Sequence, residues 1–130
     1  MFISTPAHAT IDDALSFALE AADKYVKEGF TVREDYWGGD LPQKQTKAIV
    51  QQLFKGNEYW FWMGTDRKEA KISIHVYDSE GNLAEVESWQ QPHMAAARVV
   101  PKKTGSYYLM VEIEKSSEER TYWSLAYGFR

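Results

Sequence analysis

Imidazole is the usual general base near neutral pH, so the histidines are the first groups to weigh for chemistry. His8 lies in the N-terminal tail, His75 falls on the polar side of an alternating Ile/Val segment, and His93 follows Pro92 at a turn. No serine stands in a nucleophile-elbow sequence, and Ile74-His75-Val76 lacks the His-x-His pair of a cupin-type metal site. Glu112 and Glu114 share one strand face, as a glycosidase pair does, but such pairs are more often a solvated edge. Gly38-Gly39 has neither the lysine nor the following helix that phosphate binding needs. No catalytic residue is expected, and the chain reads as a non-enzyme.

Binding chemistry has more candidates. Asp78, Glu80 and Asn82 offer hard oxygens within one short turn, and Asp66 offers another from a separate loop. Calcium is the cation such oxygens take, and it is the one cofactor the sequence suggests. The plainer reading is a hairpin turn in which Asp78 accepts from nearby backbone N–H groups. Asp35-Tyr-Trp-Gly-Gly-Asp40 joins Trp37 to Asp35 on a glycine-rich loop, and Ser88-Trp-Gln-Gln-Pro92 sets Trp89 beside Gln91. A flat ring suits the C–H face of a sugar, and carboxylates and amides suit its hydroxyls. The same indoles serve equally as anchors of loops to the core. A glycan or a protein is therefore the expected partner.

Composition excludes other classes. The formal charge is −4, and the basic residues form only short pairs such as Lys102-Lys103 and Arg67-Lys68. A nucleic-acid backbone needs a basic stripe, so no nucleic-acid partner is expected. The absence of cysteine removes disulfides, thiol nucleophiles and thiolate zinc sites together. No segment approaches the roughly 18 apolar residues that span a bilayer. Met1-Phe-Ile-Ser-Thr-Pro carries no charged region ahead of an apolar one, so an exported precursor is expected to have lost its signal already.

These candidates must be positioned by a mostly β framework. Ile11, Leu15, Ala18, Leu19, Ala22 and Val26 recur at helical spacing, Thr10 and Asp13 resemble a capping box, and Gly29 suits a left-handed end. A helix over about 10–28 is predicted. Strands are predicted near 30–37, 46–54, 58–64, 70–77, 83–89, 94–100, 106–114 and 120–129, with Gly38 to Pro42 among the breaks. Regular spacing of this kind indicates an antiparallel sandwich or barrel rather than βαβ units. Tyr59-Trp-Phe-Trp-Met63 is apolar on both faces, so Trp60 and Trp62 need cover on the outside. The helix is expected to supply it through its Leu15/Leu19 stripe, and Tyr108 and Met110 are expected to offer a similar neighbouring surface.

Residues 52–129 resemble the bacterial pre-peptidase C-terminal domains. The matching pieces are Leu53-Phe-Lys-Gly-Asn-Glu-Tyr-Trp-Phe61, Val76-Tyr-Asp-Ser-Glu-Gly-Asn-Leu83 and Val100-Pro-Lys-Lys-Thr-Gly-Ser-Tyr-Tyr-Leu109. The resemblance implies a jelly-roll-like β-sandwich and a periplasmic or secreted, non-catalytic accessory module. The first 45 residues lie outside the resembling region, which suggests a free-standing relative. The whole reading is one domain over 1–130, an all-β jelly-roll-like sandwich of about eight strands with one N-terminal helix packed on it.

Overall fold

In the computed structural model, which describes residues 10–130, Thr10 opens the helix α1 (Ile11–Val26) and its hydroxyl accepts the Asp13 N–H at 3.0 Å. Gly29 takes φ +100°, and the Phe30 N–H returns to the Tyr25 carbonyl at 3.1 Å to close the helix end. Eight strands follow: β1 (Thr31–Leu41), β2 (Gln45–Leu53), β3 (Tyr59–Thr65), β4 (Lys71–Tyr77), β5 (Glu85–Gln91), β6 (Met94–Val99), β7 (Gly105–Lys115) and β8 (Thr121–Phe129). They form two antiparallel sheets, ordered β1-β8-β3-β6-β5 and β2-β7-β4. The expected sandwich is therefore present, divided five strands to three.

Two apolar layers result. Between the sheets lie Phe61 and Met63 of β3, Ile72, Ile74 and Val76 of β4, Leu109, Val111 and Ile113 of β7 and Leu125 of β8, each at most 2% exposed. The period-2 alternation of β4 and β7 puts these residues on one face, as the pleat requires. A second layer lies between the five-stranded sheet and α1, where Trp60 and Trp62 meet Ala18, Ala21, Ala22 and Tyr25. The helix covers the outer indoles as expected.

It does so through a face rotated from the predicted stripe, keeping Leu15, Ala18 and Ala22 against the sheet and turning Leu19 and Val26 outward. Leu19 and Val26 are 42% and 50% exposed, whereas Ala14, Ala18, Ala21, Ala22 and Tyr25 are buried. The physical reason is space. A Cβ placed on Gly64 of β3 would lie 2.6 Å from the Ala14 carbonyl oxygen, so helix and sheet backbones touch there. Only small helical side chains permit that approach, and the two indoles supply the volume that leucines would otherwise provide.

Two further expectations are corrected. Of the break placed at Gly38 to Pro42, Gly38 to Leu41 is instead the end of β1, with Gly38 paired to Ser124 and Gly39 to Trp123 of β8, and the chain leaves the strand only at Pro42. Gly38 leaves room for the Ile11 side chain, so it serves packing rather than a loop, and Gly39 runs alongside the Trp123 indole in the same strand pairing. Tyr108 and Met110 are on β7 in the three-stranded sheet, beside Val50 and Ala48 of β2, and α1 does not reach them.

Candidate binding surfaces

Two connections at one end of the sandwich build a cleft. Between β4 and β5 the Asp78 Oδ1 accepts the N–H groups of Glu80 and Asn82, each at 2.9 Å, and Gly81 takes φ +85° to complete the turn. The Asn82 N–H, and secondarily that of Glu80, hold the Asp78 carboxyl below the usual aspartate range. Between β6 and β7 the Tyr107 hydroxyl donates to the Lys103 carbonyl at 2.7 Å, while Thr104 Oγ1 accepts the Lys55 N–H at 2.9 Å. Lys103 Nζ reaches Glu80 at 3.3 Å and bridges the two connections.

The cleft between them has a volume of about 480 Å³. Leu83, Val86 and Val100 line it, and they are 59%, 57% and 44% exposed. Three branched apolar side chains left in water around one cleft, rimmed by Glu80, Lys102 and Lys103, have the form of a protein contact: an apolar centre with a charged border. Sequence reasoning read these segments as turns and did not single out the lip. The available signal was the apolar residue placed directly beside each turn.

The four oxygens proposed for calcium do not converge. Asp78 follows the end of β4 and Asp66 precedes its start, so a strand of about 20 Å separates them. Glu80 is engaged by Lys103, and Asp78 by its own turn. Burial pushes the Asp66 carboxyl above the usual range, although the neighbouring Arg67 opposes the shift. Among the described residues no group of three or more His, Asp or Glu side chains is placed to hold a metal.

The four aromatic and polar candidates are split between opposite edges of the five-stranded sheet. Asp35 and Trp37 lie on β1, and Trp89 and Gln91 on β5. Trp89 is occupied with the helix: its Nε1 donates to the Tyr25 hydroxyl at 2.8 Å, and its ring joins the layer under α1. Gln91 lies at the exposed end of β5. Asp35 and Trp37 instead line an open cleft with Gln51 and Tyr127.

His75, His93 and Glu114 are engaged in structural contacts. His75 Nδ1 lies 3.2 Å from Glu85, whose Oε1 accepts the Val76 N–H at 2.8 Å along the free edge of β4. His93 has φ +54° in the two-residue connection between β5 and β6, and its ring packs edge-on against Phe17 at 4.7 Å. His8 lies outside the described residues. Burial works against ionisation of Glu114, but hydrogen bonds from Ser73 and Gln90 and the Lys71 charge outweigh it and lower its pKa.

This architecture is similar to that of a solved structure, Aeromonas hydrophila PliG, a periplasmic lysozyme inhibitor of g-type lysozyme. The superposition has a TM-score of 0.54 at 14% identity and covers 79% of this chain and 90% of that one. The two chains share a fold. No protein-family profile matches the sequence, and no curated protein does.

Proposed function

We propose that this chain is an exported, non-catalytic module that binds a protein, and that a lysozyme-type hydrolase is its partner. The observation that carries the reading is the exposed lip of Leu83, Val86 and Val100 around the 78–107 cleft. An apolar cluster of this kind is costly in water unless a partner covers it. The Asp78 turn and the Tyr107–Lys103 bond hold both walls in place, so little ordering entropy opposes binding.

The fold shared with a periplasmic lysozyme inhibitor supports the choice of partner. Acids outnumber bases by 19 to 15, a balance that favours encounter with a basic partner.

The test is inhibition and binding measured together. The intact protein is added to a g-type lysozyme clearing a cell-wall suspension, and the complex is followed by biolayer interferometry. Slowed clearing is expected, and Leu83→Asp combined with Val100→Asp should weaken binding by about tenfold or more. Unchanged clearing together with no measurable complex removes the lysozyme partner. A complex that tolerates both substitutions removes this cleft as its site.

A further inference from the structure

The opposite edge of the sandwich carries a groove that the protein-binding reading does not use. There β1 and β2 are the outermost strands of their sheets, and the mouth between them opens into two clefts of about 500 and 420 Å³. Asp35, Gln51 and Tyr127 line both, so the two run together as one groove. None of its lining residues belongs to the 78–107 cleft.

Three features set the chemistry of this groove. The first is a bulge: the four-residue step from Val32 to Tyr36 on β1 faces the two-residue step from Gly128 to Ala126 on β8. The extra residues carry Arg33, Glu34 and Asp35 to the groove. The second is Gln51, which alternates onto the same face as the buried Ile49 and Leu53, where an apolar residue would be the stable choice. Its amide makes only a long contact, 3.4 Å to the neighbouring Gln52 carbonyl. The third is the aromatic edge at the mouth: Trp37 and Phe129 are half-buried and packed on the inter-sheet core, and between them lies the buried Tyr127, held by Trp37 at 5.3 Å and Phe61 at 5.7 Å between ring centroids.

We propose that this groove binds a neutral β-1,4-linked oligosaccharide. A pyranose with equatorial substituents has flat C–H faces that lie against half-exposed rings such as Trp37 and Phe129, and a rim of hydroxyls that suits the Gln51 amide and the Asp35 carboxylate. The paired acids Glu34 and Asp35 disfavour an anionic polymer. The groove is open at its sides, so a chain passes through rather than ending there. The bulge also breaks the regular ladder of β1 that a peptide strand would need for edge pairing.

Amide and indole NMR shifts of the intact protein are followed while cellohexaose and chitohexaose are titrated to millimolar concentration. Saturable shifts at Asp35, Gln51, Tyr127 and the Trp37 indole are expected with at least one of them. Gln51→Leu, which improves the buried face, and Asp35→Ala, at an exposed position, should each weaken binding by about three- to tenfold without lowering the melting temperature. Shifts from neither sugar, shifts confined to other surfaces, or affinities unchanged in both variants overturn the proposal. So does stronger binding of an octapeptide of alternating threonine and valine along the β2 amides, which would assign the edge to strand addition. Lysozyme binding does not enter this readout, so the two readings stand or fall separately.

Discussion

The Trp89 Nε1 donates to the Tyr25 hydroxyl at 2.8 Å, joining β5 at the sheet edge to the last turn of α1. Tyr25 also lies 4.5 Å from Trp60 and 5.7 Å from Trp62, measured between ring centroids, so a single side chain holds three indoles. Tyr25→Phe keeps the ring and deletes the acceptor. It should cost about 1–3 kcal/mol, because the partly buried indole N–H is left unpaired. Urea denaturation monitored by circular dichroism measures it. An unchanged midpoint would show that the hydrogen bond contributes nothing.

Gly64→Ala should be among the most disruptive single-methyl changes in the protein. Its new Cβ would meet the Ala14 carbonyl oxygen at 2.6 Å and the Phe17 carbonyl carbon at 2.9 Å, both backbone atoms that cannot rotate away. Separating the helix from the sheet should cost about 3 kcal/mol or more. Gly105→Ala, where nothing lies within 4 Å, is the control and should change the melting temperature little.

Glu58 gathers the two arginines Arg98 and Arg130, at 3.0 and 2.9 Å. Burial alone would raise its pKa, but hydrogen bonds from Arg130 and Arg98, with their charges, outweigh it and hold the carboxyl below the usual glutamate range. A carboxyl whose folded pKa is depressed adds stability that is present above the ordinary glutamate value, about 4.3, and is lost as pH falls through the lower folded value. Glu58→Gln should therefore be less stable than the parent at pH 7, and the two should converge at acid pH. Melting curves from pH 7 down to pH 3 would show it, and a constant gap would sink the assignment.

Glu85 takes the place of a missing strand neighbour. Its Oε1 accepts the Val76 N–H at the free edge of β4, and its side chain is only 6% exposed. Glu85→Ala should cost about 1–3 kcal/mol, while Glu85→Gln should recover most of that through its amide oxygen. Hydrogen exchange at the Val76 N–H provides the local readout. Fast exchange in the alanine variant and protection in the glutamine variant are expected.

Much of the strand framework was legible because it depends on local rules. Ile72, Ile74 and Val76 alternate with polar residues, Gly81 supplies the positive φ of its turn, and Thr10 caps the helix it precedes. The helical face is only partly legible, in Leu15, Ala18 and Ala22, because a leucine stripe is a statement about hydrophobicity, whereas the contact at Gly64 is a statement about distance. Gly38-Gly39 predicts a loop for the same reason: glycine signals backbone freedom locally, but here Gly38 makes room for Ile11 from a remote part of the chain.

The candidate sites divide along the same line. Sequence alone determined a mostly β chain with turn-bounded alternating strands, an acidic balance and no cysteine chemistry, since those follow from composition and from neighbours a few residues apart. It also identified Asp35 and Trp37, but tertiary structure alone placed them with Gln51 and Tyr127 and sent Trp89 to the helix. Which strands stand at an edge is set by pairings across the whole chain, such as β1 with β8 and β2 with β7. Periodicity tells a residue which face it occupies, and only those long-range pairings decide what lies opposite that face.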